Sequence, residues 1–166
     1  LPRIGIRPAR TDAGAFIGLV VRRLALAVRG TRFRERRERD IPLDVLRRVD
    51  VLWSIGAPLS LVELARGNNL HLRATHLVLR SGEPKRVVRA LSTLACSSAI
   101  AGGRGDRRAT AILERAREVA MGLDDPTAMA QTALAEAICH KVVGRWALAL
   151  ERLEHAVEKL TPLRGV

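Results

Sequence analysis

The sequence has very few aromatic residues. Its 166 residues include two Trp, two Phe and no Tyr, so aromatics make up only 2% of the chain. A packed core therefore has to be built from leucine, alanine, valine and isoleucine, and leucine and alanine favour helix-on-helix packing. The scarcity of rings argues against a β-sandwich or barrel, and against a module that stacks nucleic-acid bases on exposed aromatic side chains.

Cysteines and long apolar runs are also scarce. Cys96 and Cys139 lie within apolar helical stretches rather than in a spaced framework, so we expect two buried free thiols in a reducing compartment. No run approaches the roughly 18 apolar residues that cross a bilayer, and nothing resembles a cleavable signal. These absences predict a cytoplasmic protein without a transmembrane segment. Because the first residue is Leu1 and not Met, we also expect a fragment of a longer protein.

Positive charge is abundant but unevenly distributed. The formal net charge is +12, and residues 1–41 hold 11 Arg against 4 acidic residues, a surplus of +7 that leaves +5 for the remaining 125 residues. In the segment 31–40 (TRFRERRERD) arginines alternate with acidic residues, which favours a solvated, salt-bridged connector over a nucleic-acid patch. The apolar and basic helix before it has two interpretations, packing on a preceding domain or lying on an anionic membrane.

Capping signals divide the chain into seven helices. Proline at a first turn, glycine after a last turn, and Ser, Thr or Asp at an N-cap mark the boundaries, and no segment alternates as a strand does. Ser60 and Glu63 form one such signal, a capping box. The predicted helices cover residues 12–29, 43–56, 61–80, 84 to the glycine-rich break at 102–105, 107–122 with Asp106 as its cap, 126–142 and 145–160.

Short connections between these helices predict antiparallel neighbours. The sequence therefore predicts an all-α fold, with a basic N-terminal helix and connector in residues 1–41 and three helical hairpins in residues 42–166. The helices at 107–122 and 145–160 each carry a one-sided apolar stripe, which needs a partner to cover it. Trp53 and Trp146 lie on apolar helix faces and are predicted to be packing anchors.

The last hairpin has a spaced pattern of small and large residues. The positions in this pattern are Ala137, Gly144, Trp146, Ala149, Leu153 and Ala156. At an offset of 40 residues, the small–large–small spacing of the second helix is repeated by Ala109, Leu113 and Ala116. This pattern resembles the tetratricopeptide repeat. The resemblance implies a short α-solenoid whose concave lining comes from the first helix of each hairpin.

A second resemblance covers about residues 32–160. The string FRER at 33–36, the segment 41–54 with LRRVDVLWS, and the segment 77–91 (LVLRSGEPKRVVRAL) are similar to the helical region after the ATPase module of large bacterial serine/threonine kinase–ATPase signalling proteins. The resemblance implies that this chain is a piece of their tetratricopeptide-like tail. It implies no kinase chemistry here, because the kinase motifs are absent.

No enzyme signature is present elsewhere. The glycine-rich segment 102–105 lacks the Gly-Lys-Ser/Thr of a phosphate loop and is predicted to be a turn between helices. Glu136 and His140 share a helix face, but zinc needs three protein ligands, so a core or groove histidine is favoured. We therefore predict no catalytic, cofactor-binding or metal-binding residue.

The sequence favours a non-catalytic interaction module that docks a protein or peptide, or another domain of its parent. In the tetratricopeptide register the nearest groove residues lie on the helix at 126–142, and Lys141 and Arg145 would select acidic partners. The alternative is a helical nucleic-acid binder that uses the arginine-rich arm, which is residues 1–41. The candidate groove residues are Gln131, Leu134, Ile138, Lys141 and Arg145.

Overall fold

The computed structural model describes residues 11–100, 102 and 104–161, and the α-helix is its main element. No strand occurs among these residues, which confirms the all-α prediction and the seven helices. Within the same described residues, no helix is both long and apolar enough to cross a membrane. A 3₁₀ turn at Glu38–Asp40 interrupts the connector. The α-helices are α1 (Asp12–Arg29), α2 (Leu43–Val62), α3 (Leu64–Ser81), α4 (Pro84–Ile100), α5 (Arg104–Leu123), α6 (Pro126–Val142) and α7 (Trp146–Leu160).

Several predicted caps are present as hydrogen bonds. The Thr11 hydroxyl accepts from the Gly14 amide at 3.1 Å, and the Asp125 carboxylate accepts from the Thr127 amide at 2.9 Å. Gly82 has φ of 80° and ends α3 in the left-handed region, which glycine adopts without steric cost. These local signals place the start of α1, the end of α3 and the start of α6 close to the predicted positions, whereas α3 begins at Leu64 rather than at residue 61.

The predicted end of α2 at residue 56 is wrong, because the helix continues through Pro58 to Val62. The predicted capping box is wrong as well, since the Ser60 hydroxyl donates to the Ala57 carbonyl at 2.8 Å from inside α2. Tertiary packing explains the extension. Leu59 packs against a buried cluster that joins α2 to α3, so a helix that stopped at residue 56 would remove it from that contact.

The start of α5 also differs from the prediction. The helix begins at Arg104 rather than at residue 107, so Asp106 lies inside it and not at its cap. Gly102, with φ of 70°, makes the predicted break between α4 and α5. Residue 103 of the glycine-rich segment lies outside the described residues, and so does residue 101 before the segment.

The chain divides into two compact units, Leu1–Glu83 and Pro84–Val166. In the first unit α3 packs against both α1 and α2. The buried Asn69 amide of α3 donates to the Ala15 carbonyl of α1 at 2.9 Å. The connector is held as well, since the Arg36 amide donates to the Gly82 carbonyl at 3.0 Å. The outer face of α1 is exposed and apolar.

In the second unit α4 pairs with α5 and α6 pairs with α7, and α6 also packs against α4 and α5. The two hairpins of this unit are therefore stacked. Small residues allow the close approach, as in the buried cluster of Val88, Ala120 and Ala128. The predicted inward stripe of α5 is confirmed by its buried members, which are Ile112, Leu113, Ala116 and Ala120, and Ala109 is buried as well.

The apolar stripe of α7 is largely exposed. Ala156 is the buried residue of the helix, whereas Trp146 is 64% exposed and Leu150 58% exposed. The prediction that Trp146 is a packing anchor is therefore wrong, since most of its side chain is in water. Trp53 is half-buried and packs edge-on against His71, with ring centroids 6.5 Å apart.

Candidate functional site

Four of the five predicted groove residues lie along one face of α6. Their spacing of three, four and three residues is that of a single helix face. Leu134 is 45% exposed and Ile138 is 36% exposed, Lys141 is exposed, and Gln131 is half-buried. Val142, which the sequence reading did not select, adds a third exposed aliphatic side chain on this side at 42%. We call residues 131, 134, 138, 141 and 142 the α6 face.

Arg145 does not belong to the α6 face. It is the N-cap residue of α7 and lines a cavity together with Glu136, Cys139 and His140. At 100° per residue, Glu136 and His140 lie about 160° around α6 from Ile138. The five predicted groove residues therefore do not form one surface, because four lie on the α6 face and Arg145 lines the cavity on the other side of α6.

The cavity lies between α5, α6 and α7 and has a volume of about 130 Å³. It is partly open, and its lining is unusually rich in arginine for so small a space. His140, which is half-buried, is part of the lining. The lining residues are Ala109, Thr110, Leu113, Glu114 and Arg117 of α5, Glu136, Cys139 and His140 of α6, and Arg145 and Arg152 at α7.

Glu136 is the buried charge of this cavity, with 6% of the residue exposed. The Arg117 guanidinium donates a hydrogen bond to its Oε1, and Nε of Arg152 lies 3.5 Å from its Oε2. A buried carboxylate has to be paired in this way, because removing an unpaired charge from water is costly. The three side chains form a guanidinium–carboxylate–guanidinium cluster across three helices.

Sequence reasoning missed Arg117 and Arg152. Arg117 is 19 positions from Glu136, and Arg152 is on a different helix again, so neither distance matches a local helix spacing. Only the stacking of α5, α6 and α7 brings them together. The sequence feature that points to this cluster is Glu136 itself, because a charged residue among the alanines of α6 needs a partner of opposite charge when it is buried.

The two cysteines also meet. Cys96 on α4 and Cys139 on α6 share a hydrogen bond, and that bond together with burial raises the pKa of the Cys96 thiol. The Cys96 thiol also lies 3.7 Å from the Ala135 carbonyl. Both are free thiols, with Cys139 buried as predicted and Cys96 only partly buried. A raised pKa keeps Cys96 protonated and unreactive at neutral pH.

The connector at 31–40, which is part of the arginine-rich arm, presents its charged side chains to solvent. Arg32, Arg34, Arg37 and Arg39 are exposed, and so are the acidic residues between them. The backbone of the connector is anchored at the end of α3 through the hydrogen bond from the Arg36 amide to the Gly82 carbonyl. The connector therefore exposes both positive and negative side chains, while its backbone is attached to the end of α3.

Among the residues that the structure describes, no three His, Cys, Asp or Glu side chains come together as a metal site needs. The second unit therefore has exposed aliphatic side chains on one side of α6 and paired ionic side chains on the other. Comparisons of the chain with models of protein families, with curated proteins and with solved structures give no match.

Proposed function

We propose that this chain is a non-catalytic docking segment, and that the α6 face binds a partner protein. The observation that carries the proposal is the exposure of Leu134, Ile138 and Val142 along one side of a helix that is otherwise packed through alanines. Aliphatic side chains at helical spacing are the usual anchors of a surface that receives an amphipathic helix. Exposing them to water without a partner has a hydrophobic cost.

The occupant is a helical segment of a partner protein that has an apolar stripe flanked by acidic residues. Lys141 lies on the face itself, and the chain as a whole carries a net charge of +12. Opposite charges around an apolar contact increase the association rate and set the register of binding. Charge complementarity therefore selects an acidic partner over a neutral or basic one.

The parent that best fits the sequence is a bacterial serine/threonine kinase–ATPase protein, in which this segment would be part of the tetratricopeptide-like tail. The support is the similarity of segments 33–36, 41–54 and 77–91 to that region, together with the hairpin pairing of the helices. The coding sequence upstream of Leu1 tests this assignment. A reading frame that continues into nucleotide-binding and kinase domains supports it, and a different upstream domain contradicts it.

Docking is tested with peptides selected from a displayed library of amphipathic helices against the purified chain. We expect the selected peptides to be acidic. Leu134→Arg should weaken their binding by at least about tenfold, since it places a charge in the apolar contact. Lys141→Glu should weaken it by about three- to tenfold, and added salt should reduce this difference.

The matched control is Leu61→Arg, because Leu61 is 88% exposed on α2 and the substitution is chemically identical. This variant should bind the peptides as the unchanged chain does. Equal binding by all three variants, or a library that yields no enriched peptide, would contradict docking on the α6 face.

A second candidate function is nucleic-acid binding by the arginine-rich arm, which the exposure of Arg32, Arg34, Arg37 and Arg39 favours. Binding through phosphate contacts would weaken steeply with salt, because each contact releases a condensed counterion. A titration of duplex DNA and of single-stranded RNA from about 50 to 200 mM salt measures this slope. Absence of binding at the lowest salt concentration removes this candidate.

A further inference from the structure

The outer side of α1 is an exposed apolar surface. Six large apolar side chains lie on it, and each of these residues is between 38% and 91% exposed. At about 100° per residue, they span an arc of about 140° around the helix, and the other residues within this arc are Ala13 and Ala27. The arc therefore contains no polar or charged side chain. The six residues, which we call the α1 face, are Phe16, Ile17, Val20, Val21, Leu24 and Val28.

The opposite side of α1 is held by its contact with α3. Ala15 and Leu26 are buried there, about 160–180° around the helix from the centre of the α1 face. The Asn69 amide of α3 donates to the Ala15 carbonyl at 2.9 Å, and Nε2 of His76, also on α3, lies 3.2 Å from the Arg22 carbonyl oxygen. Rotation of α1 would break these contacts and expose Leu26. The α1 face therefore stays in water in the isolated chain.

The unit that contains α1 is strongly basic. Residues 1–83 include 16 Arg and 8 Asp or Glu, a net charge of +8. This count includes every carboxylate of the unit, so ion pairs within it leave the surplus unchanged. Burial lowers the pKa of His76 at the contact of α1 with α3, and its hydrogen bond to the Arg22 backbone opposes this. The charges of Arg29, Arg22 and Arg80 lower the pKa further, so several guanidiniums lie close to this helix.

Arginines are also placed at the border of the apolar arc and behind it. Arg23 borders the α1 face about 20° around the helix from Phe16, and Arg29 is exposed in the last turn on the side toward α3. The acidic residue of α1 is Asp12 in the first turn, and Arg66 of α3 lies 2.9 Å from its carboxylate. A helix with one purely apolar side and basic residues around it fits a partner that is both apolar and anionic.

We propose that the α1 face docks on the surface of a lipid bilayer that contains anionic phospholipids. A helix of this kind lies in the plane of the membrane, with its apolar side chains at the boundary between headgroups and acyl chains. Long arginine side chains extend from the helix toward the headgroup phosphates, which attract the basic unit as a whole.

The composition of the α1 face favours lipid over a protein partner. A protein interface also needs hydrogen bonds and polar groups that fix its register, and the arc offers none from its side chains. The α6 face differs in this respect, because it includes Gln131 and Lys141 among its aliphatic residues. The two faces belong to different units, so the lipid proposal does not depend on the proposed docking function.

Flotation of the purified chain with large unilamellar vesicles tests this docking. The vesicles contain phosphatidylcholine alone, or phosphatidylcholine with about one third phosphatidylglycerol as the anionic lipid. We expect at least about tenfold tighter binding to the anionic vesicles, because insertion and charge attraction act together only there. Raising the salt concentration from about 50 to 500 mM should weaken the binding, since the screening length shortens. Equal binding to both kinds of vesicle would contradict the role of the anionic headgroups.

Leu24→Glu places a carboxylate at the centre of the α1 face, and it should lower the partition coefficient for anionic vesicles by about tenfold or more. The matched control is Leu61→Glu on α2, which lies in the same unit, is also exposed and changes the net charge by the same amount. The control should lower the coefficient by less than about threefold, because it removes no apolar contact with lipid. Equal Tm values show that both variants remain folded. An equal loss of binding in the control would show attraction by charge alone and overturn the proposal.

Phe16→Trp tests insertion directly, because bromine atoms on lipid acyl chains quench an indole that lies among them. Quenching in brominated anionic vesicles should exceed that of the unchanged chain, whose Trp53 and Trp146 lie outside α1. Quenching equal to that of the unchanged chain would contradict insertion of the α1 face.

A chain that does not float with anionic vesicles overturns the lipid proposal, and sedimentation velocity then identifies the alternative. Dimers that Leu24→Glu dissociates and Leu61→Glu does not would assign the α1 face to a second copy of the chain. A monomer would assign the α1 face to a different protein.

Discussion

Gly67, in the first turn of α3, lies directly against the backbone of Ser60 near the end of α2. A Cβ atom built on Gly67 would be 2.7 Å from the Ser60 Cβ and would overlap the Ser60 backbone. The single non-helical residue between the two helices, Glu63, makes this close crossing necessary. Glycine is therefore required here for its lack of a side chain.

Gly67→Ala should lower the free energy of unfolding by about 1–3 kcal/mol, because backbone atoms cannot move aside as a flexible side chain can. This loss exceeds the gain of up to about 1 kcal/mol in helix propensity that alanine brings. Urea denaturation measures the difference. The control is Gly122→Ala on α5, where nothing lies within 4 Å of the added Cβ and a small stabilisation is expected. A Gly67→Ala variant as stable as this control would contradict the close crossing.

Pro58 inside α2 gives the second prediction. Proline lacks the amide that would continue the helical hydrogen bonds, so Pro58→Ala should restore one bond and raise stability by about 0.5–2 kcal/mol. If the helix ended at residue 56, Pro58 would lie in a loop. Pro58→Ala would then make the unfolded chain more flexible and lower the stability. Thermal denaturation distinguishes the two outcomes by the direction of the shift in Tm.

Pro126→Ala is the matched control for that substitution. Pro126 is exposed and occupies the first turn of α6, where its missing amide has no helical partner to lose. We expect the control to be neutral or destabilised by up to about 1 kcal/mol, because alanine makes the unfolded chain more flexible.

The ion pair between Lys85 and Asp125 predicts a dependence of stability on pH. The Lys85 ammonium, 2.7 Å from the carboxylate, lowers the pKa of Asp125, and burial partly opposes this. A carboxyl with a lower pKa in the folded state stabilises the protein above its unfolded pKa of about 3.9, and that contribution is lost as the pH falls through the folded pKa. Asp125→Asn should therefore cost about 0.5–1 kcal/mol at pH 7, a value that solvent around Lys85 limits.

Denaturation of Asp125→Asn and the unchanged chain at pH 7, 5, 4 and 3 gives the test. The difference between them should shrink as the pH falls, because protonation of Asp125 removes the charge that asparagine lacks at every pH. Asp124→Asn is the control, since Asp124 is an exposed neighbour with φ of 48°, a conformation that asparagine also tolerates. A difference for Asp125→Asn that stays constant with pH would contradict the role of the ion pair.

The contact between Cys96 and Cys139 predicts slow alkylation of Cys96. Alkylation needs the thiolate, and the shared hydrogen bond and burial raise the pKa of Cys96. At pH 8 iodoacetamide should label Cys96 at least about tenfold more slowly in the folded chain than in urea, because a raised pKa lowers the thiolate fraction and burial limits access of the reagent. Cys139→Ala should speed the labelling, and mass spectrometry of the peptides reads both rates. Equal rates with and without urea would contradict the contact.

The helices of this chain could be predicted because their signals are local. Thr11, Gly82 and Asp125 act on amides and carbonyls within four residues, so their effect is the same in any tertiary context. The apolar period of α5 likewise shows which side must be buried. Pro58 is the case where a local signal was overruled, because contacts of α2 with α3 hold the helix beyond it.

The candidate site could be predicted only in part. The exposed residues Leu134, Ile138 and Lys141 are on one face because the helix places them there. Arg145 follows the last turn of α6 in the sequence, but the start of α7 carries it to the cavity on the other side. The pairing of Arg117 with Glu136 depends on how α5 stacks on α6, and no spacing along the chain encodes that.

By itself the sequence determined the all-α class, the seven helices of the described residues and most of their ends, because helix formation is controlled by hydrogen bonds and side-chain periodicity within a few residues. Only the tertiary structure decided which charges meet, which cysteines touch and which apolar stripes remain in water. Those outcomes depend on helices that approach from distant parts of the chain, and many stackings satisfy the same amphipathic pattern.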